Sequence, residues 1–144
     1  MKIKILAFVC FSFFFINQSF AQADRDFDAS PLVYDGKSFV KNENLDIEDH
    51  CLYSMDFLKS YYKELKYPAS ARDKGVSGTV ILSVIVNEMG QHTDPALVRD
   101  IGEGCGDAAL QAFKKSLNLC DDDIMLDGKA VRAKLFVPVS FRIH

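Results

Sequence analysis

The chain has 144 residues, of which 49% are hydrophobic and 26% charged, with a formal net charge of −3. That length supports one domain with a real core and is short for two ordinary ones. An acidic balance with no clustered basic face argues against nucleic acid as a partner.

Lys2 and Lys4 precede an apolar run over 5–16, and Ser19-Phe20-Ala21 or Ala21-Gln22-Ala23 offers a small-residue cleavage point. The pattern predicts a secretory signal peptide over 1–21, because a membrane-spanning helix needs about 20 apolar residues. The alternative is an uncleaved inner-membrane anchor. Cys10 lies inside the apolar run, outside any lipoprotein setting. Without Lys2 and Lys4 the chain holds 20 acidic residues against 15 basic ones, a net charge near −5. The expected location is the periplasm, with inner-membrane anchoring if the leader is retained.

Residues 22–50 read as an N-terminal leader with a short hairpin, ahead of a main domain over 51–144. Asp35-Gly36 between the apolar-rich runs 31–34 and 37–40 predicts a two-residue type I′ turn. A lone hairpin is marginal in water, so this one needs the main domain to lean on or stays partly mobile. Residues 41–48 form an acidic linker. Beyond it Cys51, Met55, Leu58, Tyr62 and Leu65 recur at helical spacing, which predicts a helix with that stripe facing the core. Ser54 and Asp56 fall inside this helix rather than at a clear cap.

The stretch 67–87 organises the rest. Pro68 suits a first helical turn, Ala69, Ala71, Arg72 and Lys74 continue it, and Gly75 is placed to close it in a left-handed conformation. The β-branched run after Gly78 predicts a strand with Val80, Leu82, Val84 and Val86 on one face and Thr79, Ser83 and Asn87 on the other. After the Asn87-Glu88-Met89-Gly90 turn, a strand over 91–101 contains Pro95, so it is an edge or starts beyond the proline. A helix then starts near Gly106-Asp107, with Leu110, Phe113 and Leu117 as its buried stripe. From Val131 to the C-terminus apolar residues alternate with Arg132, Lys134, Phe136, Pro138, Ser140 and Arg142, predicting a strand over 130–143.

Candidate chemistry is sparse. Cys105 and Cys120 bracket the predicted helix, roughly 15–20 Å apart, beyond the ~7 Å that a bridge spans. Cys51 reaches one of them, or all three are buried thiols; the expectation is no bridge. His50 beside Cys51 reads as a surface histidine next to a buried thiol, since helical neighbours do not face each other. Asp121, Asp122 and Asp123 lack the alternate-residue ligand spacing of a calcium loop. No zinc spacing or phosphate cradle occurs. No enzyme activity, cofactor or metal is expected.

Tyr67-Pro68, Gly75-Val76-Ser77-Gly78-Thr79-Val80, Asn87-Glu88-Met89-Gly90, Gly106-Asp107-Ala108-Ala109, Asp127-Gly128-Lys129-Ala130-Val131 and Val137-Pro138-Val139-Ser140-Phe141 together resemble, in order and spacing, the TonB C-terminal domain family over roughly 53–144. The resemblance implies an α+β fold: a three-stranded antiparallel sheet with two helices on one face, here with an N-terminal hairpin and an extra helix. It also implies energy-transducing transport across the outer membrane through protein binding, by addition of an extended peptide to a sheet edge. Such domains take the TonB box of outer-membrane transporters beside the last strand. Carried over, Tyr67, Pro68, Arg132, Lys134, Phe136, Pro138 and Ser140 would contact a TonB-dependent transporter or another envelope protein. The last strand is expected to be a sheet edge. The competing reading is a structural or assembly module that dimerises, or binds another envelope protein, through that same edge. The family's inner-membrane helix and Pro-rich stalk have no counterpart ahead of residue 51, so force transduction by this chain alone is not expected unless the apolar start stays in the membrane or a partner supplies the link.

Overall fold

The computed structural model describes residues 27–45 and 47–143; the expected signal peptide lies outside them. Its centre is a pair of nine-residue antiparallel strands, β3 (Gly78–Val86) and β7 (Ala133–Phe141). They pair without a break from Gly78 opposite Phe141 to Val86 opposite Ala133. Val80, Leu82, Val84 and Val86 on β3 and Ala133, Leu135, Val137, Val139 and Phe141 on β7 are all buried on one face. The period-two reading of both strands therefore holds. The other face is drier than expected: Ser83 is 1% exposed, and Ile81 and Phe136 are buried beside it.

Strand β4 (His92–Arg99) flanks β3 on the far side and forms one border of the sheet. Asp94, at φ 52°, and Pro95 bulge opposite Val84, between the pairs Ser83 with Ala96 and Ile85 with Thr93. Pro95 thus sits on an edge strand at a bulge, where a missing N–H does least harm. At the opposite side β1 (Leu32–Tyr34) pairs with β7, and β2 (Phe39–Lys41) pairs with β1, giving the order β2-β1-β7-β3-β4. The hairpin is therefore an integral part of a five-stranded sheet. Its loop spans 35–38 rather than two residues. The Asp35 carboxylate accepts the N–H groups of Lys37 and Ser38, each at 2.8 Å, and these bonds hold its pKa down.

Three helices contribute to the core that this buried face belongs to. Helix α1 (Met55–Glu64) starts at Ser54, whose hydroxyl accepts from Phe57 N–H at 3.2 Å. Ser54 is thus the N-cap that the sequence reading placed inside a longer helix. A 3-10 turn, Cys51–Tyr53, precedes it, and the break resets the helical phase. Leu52, Phe57 and Tyr61 are consequently buried, whereas Met55 and Tyr62, expected in the core stripe, are 67% and 46% exposed. Helix α2 (Ala69–Asp73) ends at Gly75, φ 67°, with Val76 N–H donating to Ala71 O and Gly75 N–H to Arg72 O. This pair of bonds is the Schellman closure that Gly75 foreshadowed. Helix α3 (Cys105–Ser116) packs on α1 through Phe113 against Phe57 and Tyr61. The Asp100 carboxylate accepts the Gly106 N–H at its start at 2.9 Å.

The long alternating C-terminal segment is divided. Asp127 and Gly128, at φ 51° and 76°, make a tight turn between β5 (Ile124–Leu126) and β6 (Lys129–Val131), which form a separate two-stranded ribbon. Both central residues are left-handed, as a type I′ turn requires. The chain leaves this ribbon at Arg132 before β7 begins.

Cys51 and Cys120 are joined by a disulfide, with Cα atoms 5.7 Å apart, while Cys105 is a buried free thiol whose pKa burial raises. The expectation of no bridge is thus corrected. Helical spacing kept Cys105 and Cys120 apart, as reasoned, but it gave no information on where residues 50–54 return. The bridge closes a separation of 69 residues.

Two outcomes follow from these contacts. Replacing both Cys51 and Cys120 with Ala is expected to lower unfolding free energy in urea by about 2–5 kcal/mol, because the crosslink restricts the unfolded chain. Gly90 and Gly128 share φ 76°, but a Cβ at Gly90 would stand 2.5 Å from Asp121 O and 2.9 Å from Asp123 N, whereas one at Gly128 would meet nothing within 4 Å. Gly128→Ala should cost about 1–2 kcal/mol for the left-handed backbone alone. Gly90→Ala should cost roughly 1–3 kcal/mol more for the clash, measured in the same denaturation series.

Candidate functional site: the outer flank of the last strand

In an antiparallel ladder successive residues turn their backbone groups toward opposite neighbours. Tyr34 N–H donates to Arg132 O at 2.9 Å, and the Tyr53 hydroxyl donates to Phe136 O at 3.1 Å. The even-numbered positions therefore direct their main chain away from β3. Pro138 shares this phase, so its missing N–H falls on the outer flank and costs the β3 ladder nothing.

β1 meets that flank at two positions, Leu32 opposite Lys134 and Val33 opposite Ala133. The expectation that the last strand is a sheet border is therefore corrected: its first part lies between two strands. The hairpin was legible in the sequence, but its partner was not, because pairing between segments a hundred residues apart leaves no local pattern. On this outer flank, from Leu135 to Phe141, no described strand lies beside β7; its other side is paired with β3 throughout. The open part presents Phe136 N–H, Pro138 C=O and both groups of Ser140, by the same alternation.

The sequence-derived contact residues divide accordingly. Arg132 and Lys134 lie at the hairpin end; the Arg132 side chain stands 3.7 Å from Glu88, and Lys134 Nζ lies 5.8 Å from the Phe136 ring centre. Phe136 is buried, with the Phe27 ring edge-on to it at 5.4 Å. Pro138 and Ser140 are exposed. Tyr67 packs edge-on against Phe141 at 5.3 Å and its hydroxyl donates to Val76 O, so its ring joins α2 to the end of β7. Pro68 is half-buried at the start of α2, beside Gly104. A shallow depression of about 420 Å³ opens between these parts, lined by Gly75, Ser77, Gly78, Thr79, Ser140, Phe141, Arg142 and Ile143.

Tyr53 is a residue the sequence reading missed. It is held by the 3-10 turn that the disulfide anchors, and burial pushes its phenol up to about 12, so it remains a donor to Phe136. His50 is also misplaced as a surface residue: it is 6% exposed. Its Nε2 faces Asp122 O at 3.2 Å, its Nδ1 accepts from Leu52 N–H at 3.3 Å, and Cys51 N–H donates to the Asp122 carboxylate at 3.1 Å. His92 packs against it with ring centres 5.4 Å apart. Burial lowers the pKa of both imidazoles, reinforced at His92 by His50 and opposed by the nearby Cys120 backbone and by Asp122.

Comparison with known proteins bears on the whole arrangement. A family model described as Gram-negative bacterial TonB protein C-terminal matches residues 63–143. Two solution NMR structures of the Helicobacter pylori TonB C-terminal domain are similar to the chain. One has 23% identity and a TM-score of 0.50, covering 62% of this chain and 79% of that one. The other, a shorter fragment, has 26% identity and a TM-score of 0.43, covering 61% and 95%. No curated protein matches. The family match spans more than half the residues, and the chain belongs to the Gram-negative bacterial TonB C-terminal family.

Proposed function

We propose that this chain is a protein-binding domain of the cell envelope that docks an extended peptide, such as the TonB box of an outer-membrane transporter, as an added strand along the open part of β7. The observation that carries this reading is the outer flank from Phe136 to Ser140, which has no described strand beside it and ends at the depression bordered by Gly78 and Phe141. Five residues at about 3.4 Å each give a rail of roughly 17 Å, enough for a short segment. The β1–β2 hairpin sets one end of the rail, and Tyr67, packed on Phe141, closes the other. Backbone bonds to Phe136, Pro138 and Ser140 supply affinity, and the depression next to Ser140 receives one guest side chain. Membership of the family ties the domain to TonB-related transport. Export by a signal peptide over 1–21 into the periplasm belongs to the same proposal, with the binding domain running through 51–144. No catalytic step is part of it.

The test is calorimetric titration with a TonB-box peptide. Saturable binding is expected, and Ser140→Pro should weaken it about fivefold, the worth of one backbone hydrogen bond of about 1 kcal/mol. Because the Ser140 N–H points away from β3, this variant should keep the wild-type melting temperature within a few degrees. Binding indifferent to Ser140→Pro would contradict the reading. Absence of peptide binding, together with a dimer that Ser140→Pro dissociates, would establish the assembly module instead.

A further inference from the structure

Four side chains from distant parts of the sequence converge beneath the acidic loop 121–123. One imidazole nitrogen each from His50 and His92, and the sulfurs of Cys51 and Cys120, all lie within 4.8 Å of one another. Two features distinguish this cluster from chance packing. Both ring nitrogens of His92 are shielded from solvent and make no hydrogen bond of normal geometry among the described residues, although the Cys120 backbone lies close to the ring. Shielded polar atoms are normally satisfied, so a ring whose nitrogens make no well-formed bond is placed to take a ligand. His50, in contrast, is oriented: with Nε2–H donating to Asp122 O, its Nδ1 lone pair faces the cluster, 4.0 Å from Cys51 Sγ. A backbone carbonyl holding the far nitrogen of a ligating histidine is the usual support behind a metal ligand.

Two thiolates and two neutral imidazoles are the donor set of tetrahedral d10 ions. A depression of about 370 Å³ beside His50, lined also by Asp49, Asp122 and Asp123, gives a cation an acidic way in. We propose that Cys51, Cys120, His50 and His92 form a redox-gated site for Zn²⁺, occupied when the Cys51–Cys120 bridge is open. A dithiol reductant opens it: two electrons and two protons pass to the bridge, giving two thiols, and the donor becomes a disulfide. Zn²⁺ then displaces the two thiol protons to water and takes both sulfurs, and the long Leu52 N–H contact to His50 Nδ1 gives way to the metal. The bridge and the metal use the same sulfur atoms and exclude each other.

The experiment uses the full chain, reduced with a phosphine, desalted without oxygen, and titrated with Zn²⁺ against a chromogenic chelator. The reduced chain should bind one Zn²⁺, the oxidised chain none above the level of the Cys51→Ser/Cys120→Ser variant, and His92→Asn should weaken binding at least tenfold. Co²⁺ should give a tetrahedral spectrum with thiolate charge transfer. Zn²⁺ should also raise the melting temperature of the reduced chain and leave the oxidised chain unchanged, a readout that does not depend on any variant folding. Equal binding by the reduced chain and the double serine variant, unchanged affinity in His92→Asn, a Co²⁺ spectrum without thiolate bands, or no thermal gain would each overturn the site.

Discussion

The unbroken pairing of β3 with β7 is the constraint from which the other parts take their positions. Nine consecutive residue pairs place every Val, Leu and Phe of one parity on the helix side of the sheet. A slip by a single residue would turn that whole set to the opposite face, so burial fixes the register strongly. The same register sends the backbone of Phe136, Pro138 and Ser140 outward and sets Phe141 beneath Tyr67. Which backbone groups the flank leaves pointing outward is thus decided by what the core demands of the neighbouring residues.

The flank is closed over part of its length by two independent devices. The hairpin occupies its start through β1, and the Tyr53 hydroxyl caps the Phe136 carbonyl just beyond. Tyr53 is positioned by the segment that the Cys51–Cys120 bridge ties to the end of α3. A chemical change at that bridge therefore reaches the flank through one short turn, linking the His-Cys cluster to the proposed docking surface without a long relay. The bulge at Asp94 and Pro95 meanwhile interrupts the ladder along β4, at the border of the sheet beyond β3.

Local patterns made most of the fold legible. The β-branched run after Gly78, the Gly75 closure, the alternation beyond Val131 and the placement of Pro95 at an edge each rest on geometry within a few residues. The failures share one cause, contacts between distant segments. Ser54 restarts the helical phase, so the spacing from Cys51 to Leu65 was continuous in sequence and not in space. The hairpin was recognised, but β1 lying against β7 was not. Adjacency of His50 and Cys51 drew attention on its own, yet the arrival of His92 and Cys120 from other elements makes the cluster, and no spacing motif encodes that. The seven contact residues taken from the family resemblance likewise divide along a line, the end of β1, that only the sheet order draws.

Hydrogen exchange along β7 tests the half-open flank most directly, because amide protection reports the partner of each N–H. Strong protection is expected at Leu135, Val137 and Val139 from β3, protection at Lys134 from the hairpin, and fast exchange at Ser140. Slow exchange at Ser140 equal to that at Val139 would mean that the flank is already met within the chain and that no open edge exists there.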